Sequence, residues 1–200
     1  YVSGLCIWQL FAQGLAWVTR SLETNRRLLK KLYFPRLILP VAFMAPAAVE
    51  FFIQIAVLIV VAMYYLAATG AWHLHVSWVG TLCLLGSVGL TLGLALGIGF
   101  WTSVMAAEAR DVRYLIGYVL GFWQYLTPVF YPLEAIPENH RWILKFNPMG
   151  CACELFRKGV IGVGTVAVED IVIATTMVTL IFGVGLFFFA RFEKILADHV

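Results

Sequence analysis

An all-α integral membrane protein, a polytopic bundle of helices, is the fold class this sequence predicts, and three observations predict it. The 200 residues are 62% hydrophobic and 12% charged, with a mean hydropathy of +0.89, whereas a soluble domain is about half apolar and a quarter charged. Five stretches approach or exceed the roughly 20 apolar residues that a helix needs to cross a bilayer core: 1–19, 37–69, 78–107, 114–131 and 171–190. The charges between them are segregated. With the spans laid alternately, one side collects Arg20, Arg26, Arg27, Lys30, Lys31, Arg36, Arg110, Arg113, Arg191 and Lys194. The other keeps Arg141, Lys145, Arg157 and Lys158, and this bias marks the first side as cytoplasmic. The C-terminus is therefore expected in the cytoplasm and Tyr1 outside, which calls for at least one more span upstream. Tyr1 already lies inside a hydrophobic run, without an initiator Met or a signal-peptide pattern, so an N-terminally truncated chain is expected, forming one transmembrane domain over 1–200.

The first span carries Gln9 and Gln13 one helical turn apart, so both amides share a face. That face is expected to look into the protein, because an unpaired amide in lipid is costly. The charged loop 20–36 has a helical pattern of its own. Asn25 is a good N-cap, Leu28, Leu29 and Leu32 fall at helical spacing, and Arg26, Arg27, Lys30 and Lys31 take the opposite face. Pro35 ends the pattern by forcing Phe34 out of the α region. Such a basic amphipathic helix reads either as an anchor on anionic lipid, at about 1 kcal/mol per charge, or as an element docking into a groove on a cytoplasmic partner.

In the second span Pro40 and Pro46 predict a kink or an interfacial first turn. Glu50 lies within it and Gln54 follows one turn later on the same face. A carboxylate at that depth costs about 3 kcal/mol even on the lenient insertion scale, so it faces a wet cavity, pairs, or is protonated. Glu50 and Gln54 read equally as part of a substrate path and as structural hydrogen-bonding groups. The third span carries Gly86, Gly89, Gly93 and Gly97, the last three in small-xxx-small register, which predicts close helix packing. In the short turn Glu108 to Arg113, the opposite charges, Arg110 and Asp111 among them, are expected to pair across one helical turn.

The fourth span presents Tyr114, Tyr118, Phe122 and Tyr125 as a stripe, with Gly117 and Gly121 beside it. Such a row is either packing or a platform on which sugar rings stack. From Thr127 onward Pro128, Pro132, Pro137 and Pro148 divide the chain into apolar pieces too short to cross. Trp142, Ile143 and Phe146 give one short helix an apolar face, and Asn147-Pro148 opens a second that closes at Lys158-Gly159. A helical hairpin over 133–161, either re-entrant from the outer face or lying at the interface, fits this pattern. The remaining polar signals are bland. Cys151-Ala-Cys153 has the wrong spacing for a redox or zinc motif and reads as small buried residues, Cys6 and Cys83 sit in spans, and His73-Leu-His75 lacks ligand company. No metal site or nucleic-acid partner is expected.

Several segments together resemble the permease subunit of ABC-type polysaccharide exporters, which move O-antigen, capsule and teichoic acid chains out of bacteria. They are Asn25 with Leu28 to Lys31 and Tyr-Phe-Pro-Arg-Leu-Ile-Leu-Pro at 33–40; Arg110-Asp111-Val112; Thr127-Pro128-Val129 with Tyr131-Pro132; Ile136-Pro137; Asn147-Pro148-Met149; and Phe156-Arg157. They run in family order over nearly the whole chain. The usual pattern has Ser-Pro-Val where this chain has Thr-Pro-Val, and 103–107 is a looser fit. The resemblance implies an ABC type-2 permease bundle of six spans, working as a homodimer with a separate ATPase that binds ATP and Mg on the cytoplasmic face of the bacterial inner membrane. It implies that Asn25, Arg26, Arg27, Leu28, Lys30, Lys31, Phe34, Pro35 and Arg36 form the ATPase-coupling element. The hairpin with Pro128, Pro132, Pro137, Trp142, Asn147, Pro148 and Arg157 would gate the outer end, and Glu50, Gln54 and the aromatic row would flank the path of a lipid-linked glycan.

The chain contains no Gly-x-x-x-x-Gly-Lys-Ser/Thr phosphate loop, so ATP hydrolysis is expected of the partner, not of this chain, which binds no cofactor itself. Rival readings are an ABC permease for a drug or lipid, and a proton-coupled secondary transporter relaying through Glu50. A membrane glycosyl- or acyltransferase is disfavoured, since no carboxylate pair or His/Asp motif faces a common site.

Overall fold

The computed structural model describes residues 2–25, 37–70, 77–131, 146–162, 164 and 166–198. Among them the secondary structure is helical: α1 Val2–Thr24, α2 Ile38–Ala42, α3 Ala45–Thr69, α4 Trp78–Glu108, α5 Val112–Leu126, α6 Pro148–Ile161 and α7 Val168–Asp198. Among the described residues, four stretches are long and apolar enough to cross a membrane: Val2–Thr24, Ile38–Ala68, Trp78–Glu108 and Val168–Phe192. We call the end of the bundle that holds Glu23 and the turn 109–111 the basic end, and the opposite one, where α4 starts, the hairpin end.

Each boundary has a local cause. Helix α1 runs past the expected 19, because Arg20 to Thr24 contains no breaker, and it closes where the Asn25 Nδ2 donates to the Ser21 carbonyl at 3.0 Å. The expected kink lies at Phe43 and Met44, which separate α2 from α3. Pro46 sits in the first turn of α3, where its missing N–H has no partner to lose. That helix ends on Gly70 at φ 70, a left-handed cap open to glycine. The Ser77 Oγ caps α4 by accepting from the Gly80 N–H at 2.9 Å.

The stretch expected to be a fourth span, 114–131, contains a helix of 15 residues, α5, about 22 Å long and short of a ~30 Å hydrocarbon core. Pro128 is the reason, since it places Thr127 in extended backbone at φ −100, ψ 140. The final helix is longer than expected at both ends, starting at Val168 and continuing to Asp198.

Helix α4 is the axis of the bundle, with α1, α6 and α7 packed around it. Helices α1, α4 and α7 run parallel. Gly99 lies against Val18 and the Thr19 and Thr102 hydroxyls meet at 2.8 Å, while Phe100 packs on Phe182 and Phe189. The glycine register is used in part. A Cβ on Gly93 would come 2.9 Å from the Val178 Cγ1, and one on Gly97 2.8 Å from the Phe182 backbone. Gly185 faces the Gly97 carbonyl so closely that no side chain fits. Gly86 and Gly89 meet nothing within 4 Å, so the expected packing of Gly89 is not seen, whereas Gly93 and Gly97 do meet α7.

Helix α3 runs antiparallel to α1, with Met44 beside Gly14 and the Cys6 thiol 3.8 Å from the Gln54 carbonyl. Its far side, Phe52, Ile53, Val57 and Val60, is exposed, as an apolar surface is where lipid is the solvent.

Candidate functional site

The proline-rich motifs that lie far apart in the sequence meet at one place. Asn147, the N-cap of α6, uses its whole amide. Its Oδ1 accepts from the Met149 N–H at 3.2 Å and from the Trp123 Nε1 at 3.3 Å. Its Nδ2 donates to the Thr127 Oγ1 at 3.0 Å and reaches the Leu126 carbonyl at 3.5 Å. One side chain thus starts α6 and satisfies the frayed end of α5, where Pro128 has interrupted the helix. Ten residues on, Arg157 donates to the Pro128 carbonyl at 3.2 Å and pairs with Glu154 one turn back. Both side chains of that pair are buried, so their charges are held by each other and by backbone rather than by water. Asn147 and Arg157 together latch α6 onto the 127–129 turn, and Val129 in turn rests on Gly4 of α1.

This latch sits deep in the bundle. Trp123 packs on Phe11 with ring centroids 5.2 Å apart, and Phe11 is 13 residues before Thr24, about 20 Å along α1 from the basic end. From that depth α6 climbs toward the hairpin end, where Gly159 packs against the Gly80 carbonyl and Leu84. Protein covers most of its surface, including Met149, Cys153, Leu155 and Phe156. Cys153 is buried, Cys151 is half-buried and both are free thiols, in keeping with their reading as packing residues. Pro128, Asn147, Pro148 and Arg157 are therefore brought together; Pro132, Pro137 and Trp142 lie outside the described residues.

At the basic end, the arginines of the turn do not pair within it. The Glu23 Oε1 lies 3.7 Å from the Arg110 Nε and 3.5 Å from the Arg113 Nη1, so the turn reaches across to α1. Asp111 occupies the N-cap position of α5 without a side-chain cap bond, in helical backbone that leaves its carboxylate outside hydrogen-bonding geometry. Arg113 also donates to the Tyr114 hydroxyl at 3.0 Å and stands 4.7 Å from that ring's centroid. Of the residues expected to couple to an ATPase, Asn25 is described, at the end of α1; Arg26, Arg27, Leu28, Lys30, Lys31, Phe34, Pro35 and Arg36 lie outside the described residues, as do His73 and His75.

Between the two ends runs the aromatic row. Helix α5 packs inward through Leu120, with Ile116 and Trp123 partly covered. Tyr114, Tyr118, Phe122 and Tyr125 all point away from the bundle, Tyr118 at 81% and Phe122 at 69% exposure. Gly117 and Gly121 beside them meet nothing within 4 Å. Among the described residues the row takes little part in packing: Tyr125 meets Phe130 with ring centroids 6.5 Å apart, and Tyr114 meets the Arg113 guanidinium. Gln13 is exposed and Gln9 half-buried, contrary to the inward face expected of them, because the packed side of α1 is taken by Ile7, Leu10, Phe11, Gly14 and Val18. The cost of a bare amide in lipid still holds, so their side of α1 fits a wet path or another subunit better than lipid. Glu50 and Gln54 are half-buried on α3. Glu23, Trp123 and Glu154 escaped the sequence reading, and Thr127 entered it only as part of the Thr-Pro-Val segment. Only Glu154 carried a local signal, standing i, i+3 from Arg157 on a short helix.

Residues 2–161 match the family model described as ABC-2 type transporter. An O-antigen export system permease protein RfbA of Klebsiella pneumoniae is 27% identical over 165 residues, 80% of this chain and 61% of that protein. A second permease of that name from Klebsiella pneumoniae is 27% identical over 149 residues, 74% of this chain and 54% of the relative. One from Myxococcus xanthus is 28% identical over 151 residues, 73% of this chain and 54% of the relative. The chain thus spans 54% to 61% of the length of these relatives.

Proposed function

We propose that this chain, which belongs to the ABC-2 type transporter family, is the membrane subunit of an ATP-driven exporter that moves a lipid-linked polysaccharide out of a bacterial cell. The similarity to O-antigen export permeases supports the substrate class, and the uncovered row Tyr114, Tyr118, Phe122 and Tyr125 carries it. Aromatic faces stack on the apolar faces of sugar rings without demanding one geometry, so a polymer slides along them. The open Gln9 and Gln13 face offers amides to sugar hydroxyls. In this reading two copies of the chain enclose the path, and membrane lipid covers the outer side of α3. A separate ATPase hydrolyses ATP with Mg at the basic end, which faces the cytoplasm together with the C-terminus. Arg26 to Arg36 are the docking element, and the 133–161 hairpin is the gate. The depth of the Asn147 turn and its cover of protein support a re-entrant hairpin over an interfacial one.

The test replaces Tyr118 and Phe122 by Leu, alone and together. Because both side chains are uncovered, accumulation in the membrane should be normal while surface glycan falls. Full glycan export by the double variant would refute the aromatic track and favour a drug or lipid as substrate. Export that persists with a hydrolysis-dead ATPase partner but stops in Glu50→Gln would favour the proton-coupled alternative.

A further inference from the structure

The last turn of a helix is a poor place for a carboxylate, because the helix dipole presents its negative end there. Glu23 occupies that turn of α1, ahead of Thr24. Its side chain is nonetheless mostly covered, at 16% exposure, with Arg110 and Arg113 on the same Oε1. Pairs at a wet surface add little to stability, so the value of this one is geometric. Arg113 is a planar fork that holds Glu23 with its Nη1 and the Tyr114 hydroxyl with its Nη2 at 3.0 Å, while its cation lies 4.7 Å from the Tyr114 ring centroid. Glu23, Arg113 and Tyr114 thus form a continuous chain from the end of α1 to the first ring of the aromatic row. Lys in place of Arg113 has neither the fork nor the planar face to hold both.

We propose that Glu23 is a positioning residue, which through Arg113 sets the orientation of Tyr114 at the mouth of the aromatic row and so carries displacements of the α1 end to the polymer path. The proposal rests on the exporter reading above. It gives the turn 109–111 a mechanical part: Arg110 and Arg113 fasten the start of α5 to the point where the chain leaves α1. Movement of α1 at the basic end then turns the first ring instead of leaving it free.

The test uses Glu23→Arg, Arg113→Glu and the double exchange, each replacing the chromosomal copy in the source bacterium, with surface glycan, membrane-embedded permease and co-purified ATPase measured together. Each single reversal should lower surface glycan about tenfold at an unchanged permease level, within the range for directly coupled neighbours. The double exchange should not recover it, because a carboxylate at 113 has neither the fork nor the cation that Tyr114 faces, and an arginine at 23 meets Arg110. Normal glycan in Glu23→Arg, or full recovery in the double exchange, where the ion pair is restored without the hold on Tyr114, overturns the proposal. Should Glu23→Arg not accumulate, Glu23→Gln keeps the shape and drops the charge, and a normal glycan level there overturns the proposal as well. Tyr114→Leu separates a positioning role from a merely structural one: added to Glu23→Gln it should lower export no further, and a loss equal to the product of the two singles refutes the relay. A hydrolysis-dead ATPase partner distinguishes the two failures, since unchanged glycan in its presence defeats the exporter reading whatever the Glu23 variants do.

Discussion

Asn147→Ala should be the most damaging single change at the deep end of α6. The substitution deletes an acceptor for the Met149 N–H and the Trp123 Nε1 and a donor to the Thr127 Oγ1, at 3.2, 3.3 and 3.0 Å. The contact with the Leu126 carbonyl is at 3.5 Å, the edge of useful geometry, and is given no weight. Three bonds at about 1 kcal/mol each, the usual net value, give about 3 kcal/mol; at the ~0.6 kcal/mol typical inside membrane bundles they give about 2. The shift in the folding equilibrium is then about 30- to 150-fold, or about 4–12 °C in the melting of the purified protein in detergent. Thr127→Val removes one of the three bonds and also the bond from the Thr127 hydroxyl to the Trp123 carbonyl at 3.0 Å, two in all, and should cost about two thirds as much. The assay is thermal loss of the monodisperse species in detergent, read for both single variants and the pair. The pair should cost less than the sum, since the two changes delete one shared bond. Equal losses from Asn147→Ala and Thr127→Val, or strict additivity, would show that Asn147 is an ordinary cap and not the joint between α5 and α6.

The remaining expectations concern packing and charge. Gly185→Ala, facing the Gly97 carbonyl, should destabilise the bundle by about 1–3 kcal/mol through overpacking, whereas Gly89→Ala, with open space around it, should be neutral or gain up to about 1 kcal/mol of helix propensity; the same melting assay ranks them. Arg157→Lys keeps the charge but loses the fork that serves Glu154 and the Pro128 carbonyl together, and should lower stability by about 1–3 kcal/mol, with protease sensitivity in the 132–146 segment as a second readout. Tyr118→Leu and Phe122→Leu should change melting by less than about 0.5 kcal/mol each, as substitutions at uncovered positions do, which makes any loss of export a matter of the path and not of the fold.

The long apolar runs announced the spans because their cause, the thickness of the bilayer, acts on composition alone. The kink at Pro40 to Pro46 and the Asn147 cap were legible for a similar reason, proline and cap residues acting within a few positions of themselves; Pro128 gave the same kind of signal, but the apolar run carried the expected fourth span past it to 131. What escaped was lateral. The Gln9 and Gln13 face was expected inside because an amide avoids lipid, and that rule does not say whether the polar surroundings come from this chain or from outside it. Gly89 obeys the same small-residue spacing as Gly93 and Gly97, but spacing carries no information on where a neighbouring helix begins to touch. Glu23 and the arginines of the turn are separated by about ninety residues, so their pairing had no local signature; nearby charges within the turn offered a simpler pairing that the fold does not use.

The crossing of Gly97 and Gly185 sets a fixed reference inside the molecule. With backbone resting on backbone, α4 and α7 have no side-chain cushion along which to slide, so a pair of spectroscopic labels placed on their uncovered flanks, at Gly86 and Gly183, should report one unchanging separation throughout a transport cycle. Against that internal ruler, distances to α3, α5 and α6 would reveal which helices do the moving.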